Sequence, residues 1–349
     1  MKTEVRNVTR VFGRMKVVDD LSFSFEDGNI FGFIGPNGAG KTTTIRIMAT
    51  VDTATIGDVF YDGVSVTLYP DAIRRIIGYM PDSLPGYKDI TVQEYLDFFA
   101  RSFGLRGAKR TNTLNDLVEF TNLGDIRHKI IATLSKGMKQ RVSLARALIH
   151  DPKVLIMDEP AAGLDPRARY ELRTLLKILA QQKKAILLSS HILTELQDIC
   201  NGAVIIDRGR LLSAGTTEEL LAQVAVQEMQ AGQTVQTAVP VGAAPQYVVP
   251  AAEPGTVRTP AGNEHVTSVI LKTPQGKAEP VRLKLLEHPL TRSAETVDDN
   301  EVHALIGGSE AEVSGVVGTI FAAGLTVLSV EQNKMDLEEL FMKITQEKR

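Results

Sequence analysis

The stretch GPNGAGKTT, Gly35–Thr43, decides how this chain is read. It follows the apolar run IFGFIG (Ile30–Gly35) and opens a segment of helical pattern. The spacing Gly35-x-x-x-x-Gly40-Lys41-Thr42 is that of a phosphate-binding loop, and a strand before it with a helix after it is the context that gives the spacing meaning. Glycines let the backbone curl so that successive N–H groups aim at phosphate oxygens. The helix that starts near Lys41 adds the positive end of its dipole. Gly35, Pro36, Asn37, Gly38, Ala39, Gly40, Lys41, Thr42 and Thr43 are therefore candidate nucleotide-binding residues. Lys41 would reach the β- and γ-phosphates, and the Thr42 hydroxyl would ligate Mg²⁺. Such a loop alone does not separate a kinase from a GTPase or an ATPase.

The second half of the site is read from VLIMDEP, Val154–Pro160. Four apolar residues form a buried strand that delivers Asp158 to the carboxyl edge of a sheet, where a metal-bound phosphate would lie. Asp158 suits Mg²⁺, and Glu159 beside it is placed to polarise an attacking water. Between the two segments lies LSKGMKQR, Leu134–Arg141. Ser135 is a good N-cap, and Met138, Val142, Ala145 and Ile149 mark one face of the helix that it starts. That helix start, led by Ser135 and Gly137, offers a second anion site.

Taken in order, these segments resemble the ABC (ATP-binding cassette) family over Met1 to about Val224. GPNGAGKTT looks like the Walker A loop, LSKGMKQR (with Ser135, Lys136, Gly137 and Met138) like a variant of the signature, and VLIMDEP like Walker B with its catalytic glutamate. AGLD, Ala162–Asp165, is similar to the D-loop, His191 in LLSSH to the switch histidine, and Phe12 in RVFG to the aromatic position that stacks on adenine. In this family two cassettes sandwich ATP head to tail, each offering its signature helix to the other's phosphate loop. The signature departs from the commonest form at Lys136 and Met138. In IGYMPD, Asp82 stands where the family has a glutamine that ligates Mg²⁺ and senses the membrane partner, so Asp82 is a candidate Mg²⁺ residue.

The organisation of the chain agrees with a nucleotide-binding domain. IFGFIG, VLIMD, AILLSS and AVIID read as buried strands, alternating with helices such as TVQEYLDFFA (Thr91–Ala100), where Thr91 and Glu94 form a capping-box pattern. The expected fold is α/β, with a mainly parallel core sheet and a helical subdomain, over residues 1–224. Residues 225–262, rich in Ala, Pro, Gln and Gly, read as a linker. Residues 263–349 read as a small α+β domain, with strands at VTSVILKT and PVRLKLLE, a helix through Val316, Val317, Ile320 and Phe321 that breaks at Gly324, a strand LTVLSV, and a last helix at DLEELFMKIT. From about Val302 to Thr345 this resembles the tail of bacterial exporter ATPase subunits of the drug, antibiotic and polysaccharide type.

Composition narrows the classes further. A hydrophobic content of 43% fits a globular protein, and a net charge of −3 weighs against a nucleic-acid partner. The single cysteine, Cys200, cannot make an internal disulfide, and MKTEVRNVTRVFG is not a secretory signal, so a cytosolic setting is expected. Val313–Val330 lacks charge, but its glycines at 315, 318 and 324 argue for a helix and a strand rather than a membrane span. The resemblance implies an ATP-hydrolysing subunit of an exporter with ATP and Mg²⁺ as cofactors. It would form a dimer with a second such subunit and dock through Tyr79–Tyr95 on a membrane permease at the inner face of the cell membrane. The rival reading is an ABC ATPase that works without a permease.

Overall fold

The computed structural model describes residues 1–84, 89–191, 196, 199–217, 219–220, 266–308 and 310–332. They fall into two compact units, one within Met1–Leu220 and one within Leu221–Asp336. The linker, DLEELFMKIT and most of the helix expected after Thr216 lie outside the described residues.

In the first unit, β1 (Lys2–Phe12), β2 (Met15–Glu26), β4 (Ile56–Tyr61) and the short β5 (Val64–Ser65) form an antiparallel sheet in the order β2-β1-β4-β5. The central sheet takes β3 (Ile30–Ile34), β6 (Ile77–Met80), β7 (Val154–Met157), β8 (Ala185–Ser190), β9 (Gly202–Asp207) and β10 (Arg210–Thr216) in the order β10-β9-β3-β8-β7-β6. Its strands pair in parallel except for β10 on β9. β3, β7 and β8 are buried along their whole length, which is why they read as unbroken apolar runs. The four strands expected from the sequence are all in this sheet.

Helices follow the same logic. α1 (Lys41–Met48) starts where the phosphate loop ends, and the short α2 (Pro70–Arg74) precedes β6. α3 (Val92–Ser102), α4 (Gly107–Phe120) and α5 (Lys136–Leu148) share an apolar cluster of their own that includes Tyr95, Leu96, Leu114, Val118, Val142 and Ile149. The capping box at Thr91 and Glu94 is present, and Ser135 caps α5 by accepting from the Met138 N–H. α6 (Pro166–Gln181) follows, its Asp165 N-cap accepting from the Ala168 N–H at 2.8 Å.

The second unit has β11 (Val266–Lys272), α7 (Ala278–Leu286), β12 (Thr291–Asp298), β13 (Glu301–Gly307), α8 (Glu310–Ala322) and β14 (Ser329–Gln332). Its antiparallel sheet runs β12-β13-β11-β14, the split β-α-β arrangement. Two expectations are corrected here. PVRLKLLE is the body of α7, not a strand, because the buried positions are Ala278, Val281 and Leu285 while Leu283 faces solvent. LTVLSV is a strand only from Ser329 onward; Leu325 and Val327 instead pack on the core of this unit. The helix and its end before Gly324 are as expected, and Val313–Val330 is split between α8 and β14. No helix among the described residues is long and apolar enough to cross a membrane.

Candidate nucleotide site

The phosphate loop leaves the carboxyl end of β3, and Asp158 and Glu159 leave the carboxyl end of β7. β8 lies between those strands, so Ser189 and His191 at its end come up between the two loops. The loop cannot take its path with ordinary residues. Gly40 has φ +100°, and a Cβ there would sit 2.8 Å from the Val17 carbonyl oxygen.

One cavity of about 410 Å³ gathers the pieces. It is lined by Val17, Asn37, Gly38, Gly40, Lys41, Thr42, Thr43, Asp82, Lys136, Glu159, Ala162 and His191. The Lys41 ammonium donates to the carbonyls of Gly35 (2.7 Å) and Pro36 (3.2 Å) and lies 3.8 Å from Glu159 Oε1. Burial pulls its pKa below the usual lysine range, against the opposing pull of the Glu159 and Asp158 carboxylates. Ala39 is buried, its N–H bonded to the Pro36 carbonyl.

Asp158 is 3% exposed and accepts from Ser189 Oγ at 2.8 Å and Thr42 Oγ1 at 3.3 Å. Glu159 has φ +49°, a left-handed backbone that is uncommon for a residue with a side chain. It is held on both sides: its N–H donates to Ser189 Oγ at 2.9 Å, and His191 Nδ1 donates to its Oε2 at 2.8 Å. The carboxylate therefore points at the cavity from a fixed, strained backbone.

The remaining candidates fall at different distances from this centre. Asp82 lines the cavity with an exposed side chain, and its carbonyl accepts from buried Gln140 at 3.1 Å. Lys136 lines it too, while Ser135 and Asp165 serve as helix caps, Gly137 packs on Ala168, and Met138 packs on the helical cluster. Phe12 is 44% exposed at the end of β1, with the Arg10 guanidinium 4.5 Å over its ring. Sequence reasoning missed Ser189, which links Asp158 to Glu159. The pair of serines closing an otherwise apolar strand, just before His191, was the available signal.

A phosphate loop on a parallel sheet, facing a strand-end Asp-Glu pair, defines a P-loop nucleotide-binding protein. The comparisons with known proteins narrow this. A family model described as ABC transporter matches residues 18–162. The uncharacterized ABC transporter ATP-binding protein YhcH of Bacillus subtilis (strain 168) is 42% identical over 216 residues, 61% of this chain and 70% of that one. A Nod factor export ATP-binding protein I of Cupriavidus metallidurans is 38% identical over 218 residues, 62% of this chain and 72% of that one. A solved ATP-binding subunit of an ABC transporter aligns at TM-score 0.60 and 30% identity, over 67% of this chain and all (100%) of that one. A dimeric ATP-binding cassette, MJ0796, bound to ADP and Pi shares the fold at TM-score 0.56 and 22% identity, over 61% of this chain and 98% of that one. The chain belongs to the ABC transporter ATP-binding proteins, a family of ATPases.

Proposed function

We propose that this chain is the ATP-hydrolysing subunit of an exporter and drives a separate membrane permease. The observation that carries the reading is Glu159, its left-handed backbone held by Ser189 and its carboxylate by His191, facing the cavity that Lys41 and Thr42 line. Lys41 binds the β- and γ-phosphates, and the loop N–H groups position them in line with a water. Glu159 takes a proton from that water as it attacks the γ-phosphorus, the bond from that phosphorus to the bridging oxygen breaks, ADP leaves with the electron pair and inorganic phosphate is formed, while His191 holds the carboxylate in place. Phe12 is the candidate adenine platform.

The residues fit a hard divalent cation of the Mg²⁺ kind. The buried Asp158 carboxylate is bonded to the hydroxyls of Ser189 and Thr42, and Thr42 itself lines the cavity. When bound, Mg²⁺ would neutralise charge on the β- and γ-phosphates. Asp82, on the rim, takes the place of the family's glutamine.

The same reading has two copies joined head to tail, each offering Ser135, Lys136, Gly137 and Met138 to nucleotide on the other's loop, with Asp165 in the D-loop between the sites. Closure on ATP and release after hydrolysis shift the permease between its states. Docking places the chain at the inner face of the membrane. Export is supported by the names of relatives such as the Nod factor export proteins, and no role in binding nucleic acid is assigned.

Replacing Glu159→Gln is the test. ATP binding should survive, hydrolysis should fall by about 10²- to 10⁴-fold, and gel filtration should show an ATP-dependent dimer. A full-rate enzyme removes Glu159 from its role, and an ATP-bound monomer sinks the head-to-tail pair. Co-purification with a multispan membrane protein encoded beside the gene separates the exporter from an ATPase without a permease.

A further inference from the structure

Lys136 is the residue whose position calls for an explanation. It belongs to the first turn of α5 and is expected to act on a partner's nucleotide, yet its side chain lines the cavity of its own phosphate loop with Lys41, Glu159, Ala162 and His191. Gly163 lies beside that side chain. Its φ of +67° favours glycine, and a Cβ there would lie 3.0 Å from Lys136 Nζ, 3.5 Å from Cδ and 3.7 Å from Cε. The Lys136 side chain thus runs alongside Gly163, in the turn that follows Glu159.

The charges around it are unequal. The Lys41 ammonium already has two carbonyls and the nearby Glu159 carboxylate, and Glu159 is also engaged by His191. The Lys136 ammonium has neither a hydrogen bond nor an ion pair among the described residues. It is an exposed cation at the wall of the cavity, and the terminal phosphate of a nucleotide held by Lys41 would lie in that same cavity beside Glu159. An ammonium so placed donates to a phosphate oxygen as a compact point charge.

We propose that Lys136 binds the terminal phosphate of a nucleoside triphosphate held by its own chain, before any second copy arrives. The inference rests on the ATPase reading above and adds a contact in cis to a segment expected to act only in trans. It makes Lys136 a determinant of triphosphate over diphosphate preference in the monomer.

The test uses the full chain, diluted until light scattering reports a monomer, and titrated calorimetrically with Mg·ADP and with the non-hydrolysable triphosphate Mg·AMP-PNP. Lys136→Met should weaken AMP-PNP binding by about 3- to 10-fold, the range for a partly exposed charged contact, and ADP binding by less than about 2-fold. Lys136→Arg should keep the triphosphate affinity. Retained ADP binding and an unchanged melting temperature show that the variant is folded. Unchanged AMP-PNP affinity in the monomer overturns the proposal, and a loss confined to dimer formation would place Lys136 wholly in trans. Equal losses for both nucleotides also overturn it. A parent chain that binds neither nucleotide would refute the ATPase reading itself, a result distinct from these.

Discussion

Asp158 and Glu159 are neighbours in sequence and opposites in environment. Asp158 is buried and bonded to two hydroxyls, while Glu159 sits in a left-handed backbone at the cavity wall. Ser189 ties them together, accepting from one residue's N–H and donating to the other's carboxylate. Ser189→Ala leaves a buried carboxylate short of a donor and a strained N–H without its acceptor. It should destabilise the first unit by about 1–3 kcal/mol and slow hydrolysis by about 10- to 100-fold through misplacement of Glu159. Nucleotide affinity should stay within a few-fold, because Ser189 does not line the cavity. Urea unfolding and steady-state ATPase rates measure the two effects; an undiminished rate would show that Glu159 keeps its place without Ser189. Lys41, Asp158 and Glu159 were legible because their motifs are contiguous and their chemistry is local. Ser189 was not, since its role exists only once β8 is inserted between β3 and β7.

At the scale of elements, local signals held where side chains cap or bury along one segment, as with Thr91 and Glu94 on α3 and Ser135 on α5. They failed where two periods fit the same letters. In PVRLKLLE the alternation of Val281, Leu283 and Leu285 imitates a strand, and packing on the sheet selects Ala278, Val281 and Leu285 instead. β1 and β2 went unread although Leu21, Phe23 and Phe25 alternate with polar residues. His150 shows how elements are joined. Its ring stacks on Phe103 just after α3, at 4.0 Å and 12°, and its Nε2–H donates to the Ile77 carbonyl on β6 at 2.8 Å. Nδ1 is buried with no partner among the described residues. Burial lowers the His150 pKa, so the unfolded chain binds a proton that the folded one refuses. Stability from this group is therefore complete above the unfolded value near 6.5 and is lost as pH falls toward the lower folded value, at no more than about 1.4 kcal/mol per pH unit. His150→Gln should flatten the fall in urea midpoint between pH 7.5 and 5.5. An equal fall in both proteins would put the pH dependence elsewhere.

For the whole molecule, the described apolar clusters of the first unit draw on residues before Val224. Its main apolar cluster runs from Val5 to Ile206 and its helical cluster from Val92 to Ile149. A chain ending at Val224 should therefore fold and bind ATP within a few-fold of the full protein. A thermal melt with a single cooperative transition and calorimetric titration with nucleotide check this; an insoluble or non-binding fragment would mean that later residues complete the core. The amino-acid sequence by itself determined the phosphate loop, the strand-end Asp-Glu pair, the signature helix and the parallel sheet, because each is written in residues adjacent along the chain. Only the tertiary structure decided that Ser189 bridges Asp158 and Glu159, that Lys136 shares a cavity with its own phosphate loop, and that α7 is a helix. Those outcomes depend on which distant backbones pack together, and a single segment's periodicity and chemistry carry no record of its neighbours in space.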